Sequence, residues 1–100
     1  MRFARVTGYV VARNNGLELT VTLDDGRRVE TIRAGRVVHL GRAEQRDDLP
    51  WQADQYTQET IGNELALLGW EAVAVEPAAA AVAGAGVSAA YLVRKTGGPA

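Results

Sequence analysis

The segment from Leu17 to Leu23 constrains the fold more than any other part of this 100-residue chain. Leucine or valine alternates there with glutamate or threonine, and this period of two predicts a strand with one buried face. Asn14-Asn15-Gly16 precedes the segment and Asp24-Asp25-Gly26 follows it. Asn-Gly and Asp-Gly pairs tolerate the positive φ that tight hairpin turns require. The sequence therefore predicts a strand with an antiparallel neighbour before it and another after it.

Segments on both sides of this strand supply its partners. Phe3–Arg13 is rich in valine and aromatic residues and predicts the first strand, and Arg28–Arg33 predicts the third. Ala34-Gly35 predicts a further turn, and Val37–Leu40 predicts a short fourth strand. We therefore expect residues 1–41 to form a four-stranded β-meander.

The second half of the chain begins with one helical pattern. Residues 42–53 are mostly polar and predict a linker, although Pro50 stands where a helix can begin. A helix is expected over 54–69, with Gly69 as its stop. Gly62 inside this helix costs about 1 kcal/mol relative to alanine, and close packing of the helix against a sheet would explain it. The side chains expected on the buried face are Thr57, Ile61, Leu65 and Leu68, with Tyr56 and Leu67 beside them.

Two more strands follow the helix. Trp70–Glu76 predicts a strand whose valines and alanines alternate between its two faces, and Val87–Lys95 predicts its antiparallel partner. The Ala/Gly-rich residues 77–86 are expected to form the loop between them, and residues 96–100 a tail. The predicted order is ββββαββ within a single domain. This is an α+β fold in which one helix packs on a face of an antiparallel sheet.

Residues that carry most catalytic chemistry are scarce. Cysteine is absent, which excludes disulfides, thiolate metal sites and cysteine nucleophiles. His39 is the only histidine and has no partner at ligand spacing, and Ser88 is the only serine and stands outside a Gly-x-Ser-x-Gly motif. P-loop and dinucleotide-binding signatures are also missing. We therefore expect a protein that is not an enzyme, with no catalytic residue, no metal site and no cofactor.

The charges are divided unevenly along the chain. Residues 1–46 hold nine cations against five anions, a net charge of +4, and residues 47–100 hold two cations against seven anions, a net charge of −5. One interpretation is that the two halves neutralise each other, within the domain or across a homo-oligomer. The alternative is that the basic half binds nucleic acid or an acidic partner.

A set of arginine and aromatic residues forms the candidate nucleic-acid or acidic-partner surface. Several of its members have odd numbers in the first strand, so we expect them to share one sheet face. A basic face with aromatic rings is typical of proteins that bind single-stranded nucleic acid, whereas the pI of about 5.8 weakens general attraction to phosphate. The set comprises Arg2, Phe3, Arg5, Tyr9, Arg13, Arg28 and Arg33.

The interpretation we favour is a small interaction or assembly module. Open sheet edges pair readily, so we expect association into a homodimer, through sheet edges or faces, or with another protein. Trp51, between the meander and the expected helix, is a candidate interface anchor. Its alternative role is to hold the linker onto the core.

A third hypothesis is a small-ligand or peptide site between the helix and the sheet. Trp70, Tyr56 and Tyr91 would line it. Ordinary core packing of the same three rings is the alternative.

The segment from Asn63 to Val75 resembles a family of small bacterial domains of unknown function, number 4177 in that series. The resemblance covers about residues 57–95, where a helix runs into Gly69-Trp70-Glu71 and a closing strand ends in Arg94-Lys95. The chain departs from the family at Ala66, where a second glycine is usual, and in its longer N-terminal meander. The resemblance implies a small α/β sandwich and no activity.

Location and source are inferred from composition. Neither a signal-peptide pattern nor a stretch apolar enough to span a membrane is present, so we expect a cytoplasmic protein with no membrane partner. Arginine outnumbers lysine ten to one, and there are 17 alanines and 11 glycines. All three residues have GC-rich codons, which favours a GC-rich bacterium or its phage as the source.

Overall fold

The computed structural model describes residues 2–13, 16–37, 49–76 and 86–96. Within them, five strands pair antiparallel in the order β3-β2-β1-β5-β4. One helix, α1, lies between β3 and β4 in the chain and continues as a π-helical segment. The α+β class, with a helix on one face of an antiparallel sheet, is confirmed. The bounds are β1 Phe3–Arg13, β2 Gly16–Asp24, β3 Val29–Val37, α1 Leu49–Thr60, the π-helical segment Ile61–Leu65, β4 Trp70–Glu76 and β5 Gly86–Lys95.

The turn between β2 and β3 follows from its side chains. Gly26 has a φ of 90°, and its N–H donates to Oδ1 of Asp24 at 2.9 Å. Asp25 Oδ1 accepts the N–H groups of Arg27 and Arg28 at 2.9 and 3.2 Å. These bonds favour the ionised carboxylate and lower the pKa of Asp25 below its ordinary value. The hairpin predicted from Asp24-Asp25-Gly26 is therefore confirmed.

The turn predicted at Ala34-Gly35 is wrong. β3 continues through both residues, with Ala34 opposite Thr20 and Gly35 opposite Leu19. Both residues lie in a ladder with β2, and this long-range pairing outweighs the local turn preference. The described residues therefore contain three strands before the helix. Val37 belongs to β3, and the rest of the predicted fourth strand, residues 38–40, lies outside the described residues.

One face of the sheet carries the core. In β1 the even-numbered Ala4, Val6 and Val10 are buried. Val6 and Val10 lie opposite buried leucines of β2, and Ala4 and Val6 lie opposite buried residues of β5. Helix α1 and the π-helical segment cover this face. The core cluster consists of Ala4, Val6, Val10, Leu17, Leu19, Val21, Leu23, Leu49, Ala53, Ile61, Leu65, Trp70, Tyr91 and Val93.

The helix begins at Leu49, five residues before the predicted start at Asp54. Pro50 therefore lies in its first turn, and residues 49–53 of the predicted linker are helical. On the predicted buried face, Thr57, Ile61 and Leu65 are buried. Leu67 and Leu68 are exposed, at 87% and 53%, because the helix ends in a turn there. Gly69 has a φ of 88°, which confirms it as the stop.

A different glycine makes the close approach between helix and sheet. Gly62 is exposed, and a Cβ on it would meet no atom within 4 Å. The prediction that the helix packs closely against the sheet at Gly62 is therefore wrong. At Gly8 in β1, a Cβ would overlap Oγ1 of Thr57. The helix therefore sits directly on the backbone of the central strand at Gly8.

Some predictions concern residues that the structure does not describe. They are the Asn14-Asn15 turn, His39, the linker residues 42–48, most of the Ala/Gly-rich loop at 77–85 and the end of the tail at 97–100.

Candidate interaction surface

Three members of the arginine and aromatic set share the face of β1 that α1 does not cover. Phe3, Arg5 and Tyr9 alternate with the buried even-numbered residues of the strand. The ring of Tyr9 lies against Gly86, where a Cβ would overlap it. Arg5 pairs with Glu76 at 3.7 Å. Only the backbone of Arg13 is described.

The remaining arginines of the set lie elsewhere. Arg33 is on the helix side, where it bonds Glu59 at 3.0 Å and sits 5.9 Å from the ring of Tyr56. The guanidinium of Arg2 lies 5.5 Å from the ring of Trp70, and Arg28 pairs with Glu30 at 3.9 Å. The structure thus divides the set between two faces and one end of the sheet.

The three rings of the hypothetical ligand site also lie apart. Tyr91 is buried in the core, its hydroxyl donates to Asp54, and Gln58 Nε2 donates to that hydroxyl at 2.9 Å. Burial, and then the bond to Asp54, raise the pKa of Tyr91 above its ordinary value. Trp70 is buried near the end of the helix, and Tyr56 is half-buried beside Arg33. Helix–sheet packing accounts for the positions of Tyr56 and Tyr91.

The two edges of the sheet differ in charge. The edge strand β3 carries Glu30, Arg33 and Arg36 along its length. The other edge strand, β4, has charged residues only at Glu71 and Glu76, and the residues from 72 to 75 between them are all exposed alanine or valine. Charged side chains protect exposed strand edges from pairing with other chains. The middle of β4 lacks that protection.

Both glutamates of β4 are paired within the chain. Glu71 accepts from Nε of Arg94 at 3.1 Å and also from its Nη2, and Glu76 pairs with Arg5 at 3.7 Å. Each basic partner comes from β5 or β1, further inside the sheet. The negative charge at the two ends of β4 is therefore partly neutralised by its own molecule.

A bulge changes the faces of β4. Ala72 lies opposite Val93 and Ala74 opposite Leu92, so the register shifts at Val73. The predicted alternation of valines and alanines is wrong beyond this point, because a bulge inserts one residue into the period of two. Val75 lies opposite Tyr91 on the helix side and is 74% exposed. Val73 is 40% exposed.

Trp51 lies in the first turns of α1 and is 60% exposed. It is three residues before Asp54 and seven before Gln58, so the three side chains share one side of the helix. Asp54 and Gln58 contact Tyr91, whose cross-strand neighbour is Val75. Trp51 therefore lies outside the core, on the side of α1 that contacts β5, the strand next to β4.

The described residues also bear on metal binding and on membrane insertion. Within residues 2–13, 16–37, 49–76 and 86–96, no three His, Asp or Glu side chains are grouped as metal ligands would be. In the same ranges, none of the helical structure has the length and apolar character needed to cross a membrane.

Comparison of the chain with protein-family models, curated proteins and solved structures finds no match. The resemblance seen over residues 57–95 therefore stays a prediction. The function has to be argued from the residues and their geometry.

Proposed function

We propose that this domain is a non-enzymatic self-association module whose β4 strand pairs with β4 of a second copy. The observation that carries the proposal is the outer edge of β4 at residues 72–75, where four consecutive uncharged side chains are exposed and no other strand of the described residues pairs. Free backbone N–H and C=O groups on such an edge bind another strand readily.

The length of β4 and its two glutamates together favour one antiparallel register. In the symmetric pairing that opposes Val73 to Val73 of the second copy, all seven residues of β4 overlap. Glu71 then lies opposite Val75, and Glu76 opposite Trp70. A shift of one residue can place Glu71 opposite Glu76, and like charges directly opposite each other are destabilising. The symmetric register avoids this repulsion and gives the closed two-fold dimer that most homo-oligomers form.

The bulge at Val73 bends β4, and bulges are one way in which edges avoid pairing. Residues on both sides of the bulge remain exposed here. Self-association on this edge would bring a new strand beside Val75, whose cross-strand neighbour Tyr91 bonds the side of α1 that carries Trp51. This position supports Trp51 as the interface anchor, because large exposed aromatic side chains carry much of the energy of protein interfaces.

The nucleic-acid alternative has less support. A single-strand binder needs its cations and rings on one open groove or face. Arg5 and Arg33 are engaged with Glu76 and Glu59, and they lie on opposite faces of the sheet. The association of two copies requires no such rearrangement of the described side chains.

Sedimentation velocity on matched edge variants tests the proposal. Val75→Lys places a charge on β4, and Val29→Lys places the same charge on β3, at a valine that is 64% exposed. Both substitutions are at exposed positions, where effects on folding are usually within about 0.5 kcal/mol. We expect wild type and Val29→Lys to dimerise at about 100 µM, well above the micromolar range of ordinary association.

Val75→Lys is expected to be monomeric at the same concentration. A monomeric wild type would refute self-association. Equal dimerisation of the two variants would refute the assignment to β4.

A further inference from the structure

A small cavity lies at the end of the sheet where β1 begins and β5 ends. It has a volume of about 260 Å³, and the β2–β3 turn and the last turn of the helical region close its sides. Three cations from three separate parts of the chain line it: Arg2, Arg28 and Lys95. Trp70 forms part of the wall, with Lys95 Nζ 5.2 Å from the centre of its ring.

The cavity is also lined by two carboxylates, Asp25 and Glu30, which are fewer than its three cations. Asp25 already accepts two backbone N–H groups of its turn, and its contact with Arg2 is a long one, at 3.6 Å. Glu30 and Arg28 are 3.9 Å apart, with side chains 54% and 79% exposed. Exposed ion pairs of this kind contribute little. A guanidinium has five N–H donors, so Arg2 and Arg28 retain donors for a further anion.

The positions of the cations are partly fixed before any ligand binds. Arg2 and Lys95 both lie against the ring of Trp70, which attracts cations electrostatically. Lys95 Nζ also donates to the carbonyl of Leu68 and offsets the partial negative charge where the helix ends. Both cations also line the cavity, and an anion bound in it would be attracted to each of them.

We propose that this cavity is a binding site for a phosphomonoester dianion. Arginine binds phosphate oxygens through paired N–H donors, and three cations around one cavity suit a group with three terminal oxygens. The volume is below the roughly 300–1,000 Å³ typical of pockets for drug-sized ligands. The cavity therefore has room for the phosphoryl group and for only a small part of the molecule that carries it. The cavity lies at the Trp70 end of β4, away from residues 72–75, and the phosphate proposal does not depend on self-association.

NMR titration of the full chain with sodium phosphate at pH 7.5 and constant ionic strength tests the site. The expected result is a saturable shift of the Trp70 indole N–H and of the Arg28 amide, with no shift of the Trp51 indole. Sodium chloride is expected to give no saturable shift. A phosphate response that does not saturate, or one equal to that of chloride, would overturn the proposal.

Two neighbouring arginines, Arg27 and Arg28, allow a matched comparison of phosphate binding. Arg28→Met removes a lining cation, and Arg27→Met removes an exposed cation of the same turn that does not line the cavity. Arg28→Met is expected to weaken phosphate binding about tenfold or more, the effect of losing charge-assisted hydrogen bonds. Arg27→Met is expected to change it less than about twofold. Equal weakening by the two variants would refute a defined site.

Short single-stranded oligonucleotides with and without a 5′ phosphate identify the form of phosphate. We expect the phosphorylated strand to shift the Trp70 indole and the unphosphorylated strand to leave it unchanged. If the unphosphorylated strand shifts it at lower concentration than inorganic phosphate does, the ligand is a nucleic-acid backbone, and the monoester assignment is wrong.

Discussion

Thr57 of α1 packs directly on the backbone of Gly8 in the central strand β1. Thr57 is fully buried, and its hydroxyl donates to the carbonyl of Ala53 at 2.6 Å. A Cβ on Gly8 would overlap Oγ1 of Thr57 and lie 3.0 Å from its Cβ. The absence of a side chain at Gly8 therefore sets how closely the helix approaches the sheet.

Gly8→Ala is expected to lower the free energy of unfolding by about 1–3 kcal/mol, the range typical of overpacked cores. Chemical denaturation of the variant measures this. Gly35→Ala is the matched control, because a Cβ there meets no atom within 4 Å and the residue is also in a strand. The free energy of unfolding of Gly35→Ala is expected not to fall below that of wild type. In a double-mutant cycle, Gly8→Ala is expected to cost at least about 0.5 kcal/mol less in the Thr57→Ala background than in wild type. Strict additivity would contradict direct packing.

Gly62, in the helical region, has open space around it, so replacing it with alanine is expected to raise stability, whereas Gly8→Ala lowers it. Gly62→Ala is expected to raise the free energy of unfolding by about 0.5–1 kcal/mol, because alanine loses less backbone entropy on folding. Gly69→Ala is expected to lower it by about 1–2 kcal/mol, since its φ of 88° is left-handed. Thermal and urea denaturation measure both changes. A loss of stability in Gly62→Ala would mean that this position is packed.

The hydroxyl of Tyr91 joins the sheet to α1 through Asp54 and Gln58. Tyr91→Phe removes the hydroxyl that donates to Asp54 Oδ1, while Gln58 Nε2 still donates to Asp54 Oδ2 at 2.7 Å. A loss of about 1–2 kcal/mol in the free energy of unfolding is expected. The pKa of Tyr91 is raised in the folded state, so the unfolded chain releases the phenolic proton first. The stabilisation that the protonated Tyr91 hydroxyl provides is complete at neutral pH and is lost as the pH rises above about 10.

Urea denaturation at several alkaline pH values measures this dependence. Wild type is expected to lose stability more steeply above about pH 10 than Tyr91→Phe does. Tyr9→Phe is the matched control on the other face of the sheet. Equal slopes for wild type and Tyr91→Phe would contradict the raised pKa.

Local patterns were enough to predict much of this fold. The alternation from Leu17 to Leu23 and the Asp24-Asp25-Gly26 turn both depend on neighbouring residues only, and both are confirmed. Gly69 ends the helical region as predicted. Ala34-Gly35 failed as a turn because pairing with β2, a long-range effect, decides the conformation there.

The candidate site was harder to predict because it depends on strand order. β4 becomes an edge strand only because β5 pairs with β1 on its other side, and nothing local in the chain specifies that pairing. The bulge at Val73 also depends on the register between β4 and β5. The sequence indicated Trp51 as an interface residue, but its place on the side of α1 that contacts β5 follows only from the bonds of Asp54 and Gln58 to Tyr91.

The absence of cysteine makes the pairing of two β4 strands directly measurable. In Val73→Cys the only thiol of the chain stands at the centre of the proposed register. Directly opposed residues in an antiparallel pair have Cα atoms about 4.5–5.5 Å apart, a separation that a disulfide bridges. Ala34→Cys, at an exposed residue of the opposite edge, is the matched control.

Mild oxidation of both variants at equal concentration, followed by non-reducing electrophoresis, gives the decisive comparison. We expect Val73→Cys to form a covalent dimer rapidly and nearly completely, and Ala34→Cys to form one slowly. Equally slow crosslinking of the two variants would contradict the pairing of β4 with β4.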